Sequence, residues 1–311
     1  GGKRLRAAFC YWGWRGAGRG DDDRVVSAAA AVEMLHAAAL IHDDVIDNSD
    51  TRRGHPAAHR RFADQHRAAG WHGDADRFGV AAAVLLGDLC LAWSDSLLTG
   101  CGLPSVASAP VRRVFDQMRT EVMAGQYLDV LAQATGPATD PATAVDQARR
   151  VIRHKSASYS VEQPLLLGGT LAQAPAPVLD VYRDFGLALG EAFQLRDDVL
   201  GVYGDPAQTG KPAGDDLREG KRTVLVTTAQ LRATPAQRDV LRTQLGRADL
   251  DQAGLDALRT VIVDTGALAE VEQQITVLSR RALLTADSGV LDPLARDVLV
   301  ALVVAATDRA R

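Results

Sequence analysis

The chain has 311 residues, of which 47% are hydrophobic and 24% are charged, and its formal net charge is −4 with a pI near 6.0. This length and apolar content suffice for one large core, and no stretch has the composition of a linker, so we expect a single domain over residues 1–311. The slightly acidic balance excludes a generally basic nucleic-acid surface. An anionic ligand would therefore have to be bound by local clusters of Lys and Arg.

Three cysteines, Cys10, Cys90 and Cys101, form an odd and irregularly spaced set. Such a set is typical of reduced thiols rather than of a disulfide framework, so we expect a cytoplasmic protein. No run of 18 uncharged apolar residues is found, and the sequence therefore predicts no transmembrane segment. The chain opens on Gly1-Gly2-Lys3 without an initiating Met, so we expect that residues of the native protein precede it.

Apolar residues recur at helical spacing over most of the chain, and aromatic residues make up only 5% of it. The sequence therefore predicts an all-α protein, a large bundle of helices with short connections and one long polar loop at 204–220. In chain order the predicted helices cover residues 24–48, 78–99, 105–133, 141–170, 176–203, 222–232, 235–246, 251–264, 266–286 and 292–309.

The first of these helices ends in three carboxylates, Asp43, Asp44 and Asp47, after an alanine-rich apolar segment. Asp43 and Asp47 lie one turn apart and share a face with His36 and Ala39. Two carboxylates at this spacing repel each other unless they cap a helix dipole, pair with a cation or bind a metal. Because oxygen ligands suit Mg²⁺ better than zinc, the pattern favours a magnesium site.

A turn with two guanidinium groups follows, because Pro56 cannot continue a helix and Arg52 and Arg53 stand just before it. Adjacent arginines point in different directions, which favours two anions beside the turn over bidentate binding of one. With the carboxylates, they indicate a metal-bridged phosphate that has an apolar tail. His42-Asp43 is also similar to the metal pair of HD-type phosphohydrolases, which is an alternative at this stage.

A second acidic stretch repeats the first one without its last carboxylate, since Gln194, Asp197 and Gly201 share one helical face. It is followed by a glycine-rich loop with Lys211 and Lys221, in which the backbone can approach an anion closely. The loop lacks the spacing of a P-loop, and this disfavours a nucleotide site of that type.

Five motifs follow one another over residues 1 to about 225, and they are Gly2-Lys3-x-x-Arg6, Asp43-Asp44-x-x-Asp47, Arg52-Arg53-Gly54, Gln194-x-x-Asp197-Asp198 and Gly210-Lys211-Pro212 with Gly220-Lys221-Arg222-Thr223. In kind and order they resemble those of the trans-isoprenyl diphosphate synthase (polyprenyl synthetase) family, in particular its short-chain members such as geranylgeranyl and farnesyl diphosphate synthases. The resemblance implies an all-α bundle of the isoprenoid synthase type around a central cavity, across which the two acidic motifs face each other. It also implies a homodimer, family helices that precede Gly1, and head-to-tail transfer between isopentenyl diphosphate and an allylic diphosphate.

The same resemblance implies a role for each matching side chain. Three Mg²⁺ ions on the allylic diphosphate would be bound by Asp43, Asp47 and Asp197. The cations around that diphosphate would be Arg52, Lys155, Lys211 and Lys221. The isopentenyl diphosphate pocket would contain Lys3, Arg6, His36 and Arg53, and Ser156 and Gln194 would lie near the developing carbocation. The residues expected to be catalytic are Asp43, Asp47, Lys155, Gln194, Asp197 and Lys211.

Small side chains before the first acidic stretch set the expected product length. Ala38 and Ala39 stand where the resemblance implies that short-chain synthases often place bulky residues as a cavity floor. A growing tail would pass over Ala39 toward Leu35 and stop near C20. Geranylgeranyl diphosphate is therefore the predicted product, with farnesyl or longer polyprenyl diphosphates as alternatives.

Two other classes of protein fit part of the pattern. A class I terpene cyclase shares the fold and the Mg²⁺ chemistry but has no second anion to bind, so Lys3, Arg6 and Arg53 argue against it. A non-catalytic partner subunit of a synthase would be expected to lose carboxylates, whereas this chain departs from the acidic pattern only at Gly201. The HD phosphohydrolase alternative leaves the second acidic stretch without a role.

Overall fold

The computed structural model describes residues 4–103, 105–135, 141–205, 214–247 and 249–307. In this part of the chain helices predominate, and strands are confined to one hairpin between α2 and α3, formed by β1 (Thr51–Arg52) and β2 (His55–Pro56). The predicted all-α class is confirmed. The helices are α1 (Leu5–Gly16), α2 (Asp23–Ile46), α3 (Ala58–Ala69), α4 (Ala75–Thr99), α5 (Ser105–Thr135), α6 (Pro141–Val151), a π-helix (Ile152–Glu162), α7 (Gln163–Leu171), α8 (Ala176–Tyr203), α9 (Asp215–Arg218), α10 (Val224–Arg232), α11 (Pro235–Gln244), α12 (Gln252–Asp264), α13 (Ala267–Ala286) and α14 (Pro293–Thr307).

Each predicted helix is present with ends within about three residues of those expected, except that the segment 141–170 is divided by the π-helix. The sequence does not predict α1, α3 or the short α9, which lies within the stretch 204–220 that was expected to be a loop. In α3 the buried side chains are His59, Ala63 and His66, so the helix lacks the apolar stripe from which a helix is recognised.

The chain divides into two compact units, residues 1–114 with 164–174 and residues 115–163 with 175–311. In the first unit, α2 packs on α4 and on α1, and Val25, Val32 and Leu35 are almost completely buried. The side chain of Asp22 caps α2 by accepting a hydrogen bond from the backbone N–H of Arg24. These contacts fix the position of α2, whose last turn carries the first acidic motif.

In the second unit, α8 packs against the π-helix and α13, and its residues Leu195 and Val199 belong to the buried core. The π-helix approaches α8 closely at Gly190, where a Cβ would lie 2.5 Å from the Cα of Ala157. Since Cβ atoms do not tolerate that distance, glycine is required there. The second acidic motif lies in the last turns of this helix.

Among the described residues, α2 and α4 are long and apolar enough to cross a membrane by length and composition, as core helices of globular proteins also are. The expected absence of a transmembrane segment therefore stays a prediction.

Candidate active site

The first acidic motif lies at the C-terminal end of α2, where the helix dipole disfavours negative charge and favours a cation. Arg52 supplies one: its Nε donates to Oδ1 of Asp44 at 2.8 Å, and its Nη2 donates to Oδ2 of Asp43 at 3.3 Å. The side chain of Asp44 is only 4% exposed, whereas that of Asp43 is 22% exposed. Asp47, one turn after Asp43, is half-buried. Asp44 is thus paired with Arg52, while Asp43 and Asp47 present surface to a ligand.

The hairpin explains how two adjacent arginines differ in their surroundings. Arg53 and Gly54 form its two-residue loop and both have positive φ, +54° and +75°, as a type I′ turn requires. Arg52 lies on β1 and bonds back to α2, whereas Arg53 is exposed at the tip. The predicted turn is confirmed, and the two arginines have different surroundings.

Arg6 and His36 are in contact in the first unit, with 3.1 Å between Nη1 of Arg6 and Nε2 of His36. Burial lowers the pKa of His36 to about 2, and the positive charges of Arg6, Arg53 and Arg52 add to the effect. The imidazole is therefore neutral, and its Nε2 accepts the hydrogen bond from Arg6. The structure thus brings Arg6 and His36 into contact, and Arg53 is close enough for its charge to act on His36. Lys3, which was expected beside them, lies outside the described residues.

His42 points to α4 rather than to Asp43. Its Nε2 lies 3.6 Å from Oδ1 of Asp88 and 3.2 Å from the carbonyl oxygen of Val84. Gly87 leaves the space for this ring, since a Cβ there would lie 2.1 Å from Nε2 of His42. A His42-Asp43 metal pair of the HD type is therefore not formed.

In the second unit, Lys155 extends from the π-helix to Asp129 on α5, with 2.5 Å between Nζ and Oδ2. Gly125 permits this approach, because a Cβ at that position would lie 2.4 Å from the backbone nitrogen of Lys155. The neighbouring Ser156 is half-buried. π-helical turns are often found at functional sites, and this one displays both predicted residues. Asp129 was not among the predicted site residues, although an acid within an apolar helix was a signal for it.

The second acidic motif contains a buried acid, Asp198. The carboxyl group of Asp198 is 6% exposed and accepts a hydrogen bond from Nε2 of Gln194 at 2.8 Å. Burial raises the pKa of Asp198 to about 8, and the negative charges of Asp216 and Asp197 raise it as well, whereas Gln194 and Lys221 act in the opposite direction. The carboxyl group of Asp198 therefore keeps its proton to a higher pH than an exposed aspartate does.

Lys221, which follows α9, forms ion pairs with two acids. Its Nζ lies 3.3 Å from Oδ1 of Asp216 and 2.7 Å from Oε2 of Glu219. Sequence reasoning assigned a role to Lys221 but to neither acid, because these pairings depend on how the chain folds after α9. Lys211 and most of the glycine-rich loop lie outside the described residues.

Both acidic motifs contain the carboxylates that Mg²⁺ uses when it binds together with a phosphorylated substrate. Among the described residues, no group of three or more His, Cys, Asp or Glu side chains is arranged to hold a metal ion by itself. Mg²⁺, however, is usually bound by one or two carboxylates together with phosphate oxygens and water. Asp43 with Asp47 is a pair of this kind, and the half-buried Asp197 offers a further carboxylate.

The residues expected to set product length differ in burial. Leu35 and Ala38 are 1% and 0% exposed, whereas Ala39 is only half-buried. Of the three, Ala39 is therefore the one with appreciable surface in the turn before Asp43.

Known proteins similar to this chain agree with these observations. The polyprenyl synthetase family model matches residues 1–262. The chain is 31% identical to the geranylfarnesyl diphosphate synthase of Aeropyrum pernix over 96% of this chain and 90% of that protein. It is 35% identical to the geranylgeranyl diphosphate synthase of Mycobacterium tuberculosis over 73% of this chain and 58% of that protein.

Among solved structures, the geranylgeranyl pyrophosphate synthase of Corynebacterium glutamicum, complexed with isoprenyl diphosphate and magnesium, is similar with a TM-score of 0.93 and 40% identity. The alignment covers 100% of this chain and 87% of that one. The resemblance seen in the sequence is confirmed, and so is the fold of the isoprenoid synthases. The chain belongs to the polyprenyl synthetase family and is a trans-prenyl diphosphate synthase.

Proposed function

We propose that this enzyme condenses isopentenyl diphosphate with an allylic diphosphate, head to tail and with Mg²⁺, and that its main product is geranylgeranyl diphosphate. Ala39 is the observation that supports this length, because it is small and half-buried one turn before Asp43, whereas Leu35, the next turn down, is 1% exposed. At 1.5 Å per residue, a tail that starts at Asp43 passes about 6 Å of helix to reach Ala39 and about 12 Å to reach Leu35.

We assign the allylic diphosphate to the acids and cations that the family resemblance implies. Asp43, Asp47 and Asp197 would hold three Mg²⁺ ions. When bound, these ions would offset the negative charge that develops on the diphosphate as its bond to carbon breaks. Arg52, Lys155, Lys211 and Lys221 would donate to the phosphate oxygens, and Arg52 is already oriented by its bonds to Asp43 and Asp44.

The remaining side chains position the second substrate and protect the cation. Arg6 and Arg53, with Lys3, would bind isopentenyl diphosphate, and neutral His36 would orient Arg6 through its hydrogen bond. Gln194 donates its Nε2 to Asp198, which leaves its carbonyl oxygen to face the carbocation beside Ser156. We assign proton removal to the departing diphosphate. The apolar face of α2 would exclude water, which would otherwise trap the cation.

We also propose a cytoplasmic homodimer whose chain is a single isoprenoid synthase domain. Its α4 carries Leu85, Leu89 and Trp93 at a spacing of four residues, and these side chains are 63%, 48% and 48% exposed. A second copy would cover this apolar stripe. Leu89→Glu is expected to convert the dimer into a monomer in sedimentation, and an unchanged sedimentation coefficient would contradict this interface.

A longer product is the second candidate. It is favoured by the 31% identity, over 96% of the chain, to a protein named geranylfarnesyl diphosphate synthase.

Product analysis tests the proposal. The protein is incubated with Mg²⁺, isopentenyl diphosphate and dimethylallyl, geranyl or farnesyl diphosphate, and the products are separated by chain length. A C20 product from every primer is expected. Products of C25 or longer would favour the second candidate, and a C15 product that is not extended would contradict both.

A further inference from the structure

Position 201 on α8 is one turn after Asp197, and here the second acidic motif has a glycine instead of its last aspartate. A Cβ built on Gly201 would lie 1.9 Å from Oδ2 of Asp216 and 2.6 Å from its Cγ. The carboxylate of Asp216 therefore occupies the place that a side chain at position 201 would take. Because of this overlap, a side chain at 201 and the observed position of Asp216 exclude each other.

The position of Asp216 is fixed by hydrogen bonds around it. The backbone N–H of Gly214 donates to the carbonyl oxygen of Gly201 at 3.1 Å, which ties the start of α9 to α8. Gly214 has a φ of +77°, a conformation that favours glycine. On the other side, the backbone N–H of Lys221 donates to the carbonyl oxygen of Asp216 at 2.9 Å, and its Nζ lies 3.3 Å from the carboxylate.

Asp216 also acts on the motif electrostatically. Its charge and that of Asp197 both reach the buried carboxyl group of Asp198. The side chain of Asp216 is 16% exposed, so it is neither fully buried nor fully solvated. Asp216 of α9 thus lies close enough to the end of α8 for its charge to act on Asp198, although these acids do not form a metal site by themselves.

We propose that Asp216 supplies from α9 the carboxylate that Gly201 lacks, and so completes the binding of Mg²⁺ and diphosphate at the second acidic motif. This inference rests on the proposed function, because it assumes that the motif binds Mg²⁺ together with a diphosphate. The glycine is then part of the site, since it makes room for a carboxylate delivered from another helix.

The test measures the stabilisation of the protein by inorganic diphosphate as the concentration of Mg²⁺ is varied. The midpoint of the increase in Tm reports the affinity for the metal and does not depend on turnover. Asp216→Asn should raise this midpoint about tenfold or more, as expected when a carboxylate that supports a metal site is lost. Asp215→Asn, with the same change of charge on the same turn of α9, is the matched control and should leave the midpoint unchanged.

An exchange of positions separates a metal-site role from a structural one. Gly201→Asp combined with Asp216→Gly returns the carboxylate to α8, and it should recover most of the affinity that Asp216→Asn loses. If Asp216 served only to hold Lys221 in position, Asp216→Asn would lower Tm without ligand and leave the Mg²⁺ midpoint unchanged. The exchange of positions would then restore neither the stability nor any affinity for the metal. That result would overturn the inference.

The wild-type protein separates a failure of the proposed metal site from a failure of the role assigned to Asp216. If it shows no Mg²⁺-dependent stabilisation by inorganic diphosphate, the proposed metal site itself is wrong. If it responds and Asp216→Asn responds with the same midpoint, only the role of Asp216 is wrong. If Asp216→Asn does not fold, the exchange variant alone decides, since a midpoint raised tenfold in it would contradict the proposal.

Discussion

Individual side chains divide the first acidic motif into one structural acid and two acids that present surface to a ligand. Asp44 is buried against Arg52, while Asp43 and Asp47 are partly exposed. We expect Asp43→Ala or Asp47→Ala to lower kcat by at least about 10²-fold, because each removes a preorganised charge needed when the leaving group forms. Steady-state kinetics at saturating Mg²⁺ checks this.

Asp64→Ala is the control for these variants, since Asp64 is exposed on α3 and pairs with Arg67 at 3.0 Å. Its kcat should be near that of the wild type. Near-normal turnover of the Asp43 or Asp47 variants would mean that these residues are not the metal ligands.

Arg53 tests the separation of the two substrates. Its φ is +54°, so Arg53→Asn removes the charge while it keeps a residue that tolerates this conformation. The KM for isopentenyl diphosphate should rise more than the KM for the allylic substrate. Arg61→Asn, at an exposed position on α3, should change neither. Equal increases for both substrates in Arg53→Asn would show that the two pockets are wrongly assigned.

His36 should make stability depend on pH. Its pKa is about 2 in the folded protein but near 6.5 in an unfolded chain. Below pH 6.5 the unfolded state therefore binds a proton that the folded state does not, and the free energy of unfolding falls by at most about 1.4 kcal/mol per pH unit. Denaturant unfolding of wild type and His36→Gln at pH 7.5 and 5.5 measures this loss.

The loss between these two pH values should be smaller in His36→Gln than in the wild type, because glutamine has no proton to gain. His55→Gln, at an exposed position, should behave as the wild type does. The same pH dependence in all three proteins would contradict a neutral His36.

At the scale of the elements, local pattern predicts most helices but not the contacts between them. The run at 141–170 has helical periodicity throughout, yet the chain there forms a π-helix between Ile152 and Glu162. Apolar periodicity does not reveal the i→i+5 hydrogen bonds that distinguish a π-helix from an α-helix. The contact between Lys155 and Asp129 could not be predicted from the sequence either, because it joins two separate helices.

Gly125→Ala tests that contact between elements. A Cβ at Gly125 would lie 2.4 Å from the backbone nitrogen of Lys155, which cannot move away as a flexible side chain could. We expect the free energy of unfolding to fall by about 1–3 kcal/mol, in spite of the better helix propensity of alanine. Gly20→Ala is the control, because nothing lies within 4 Å of its Cβ. Equal stability of the two variants would contradict the close packing of α5 on the π-helix.

For the molecule as a whole, the all-α fold and the acidic motifs could be predicted from the sequence, because both depend on spacing along one helix. Asp43 and Asp47 share a face by periodicity alone, and so do Gln194 and Asp197. Asp216 could not be predicted, because it reaches α8 only through the turn at Gly214 and the space at Gly201. The contact of Arg6 with His36 joins two helices, and only the family resemblance placed these residues together.

Product length is a property of the whole molecule that Ala39 should control. Ala39→Phe should shift the main product toward C15, because the ring would fill the space one turn before Asp43, at a packing cost of about 1–3 kcal/mol. Val26→Phe is the control, since Val26 is 56% exposed on the same helix and should leave the product unchanged. An active Ala39→Phe enzyme with the wild-type product would mean that the tail does not run along this face.

The central claim is chain elongation from two diphosphates, and the ratio in which they are consumed tests it most directly. With dimethylallyl diphosphate as primer and labelled isopentenyl diphosphate in excess, we predict a C20 product in which three isopentenyl units are added per primer, and no reaction when EDTA removes the metal. Consumption of the allylic diphosphate without incorporation of isopentenyl units, as by a cyclase or a phosphohydrolase, would contradict the account.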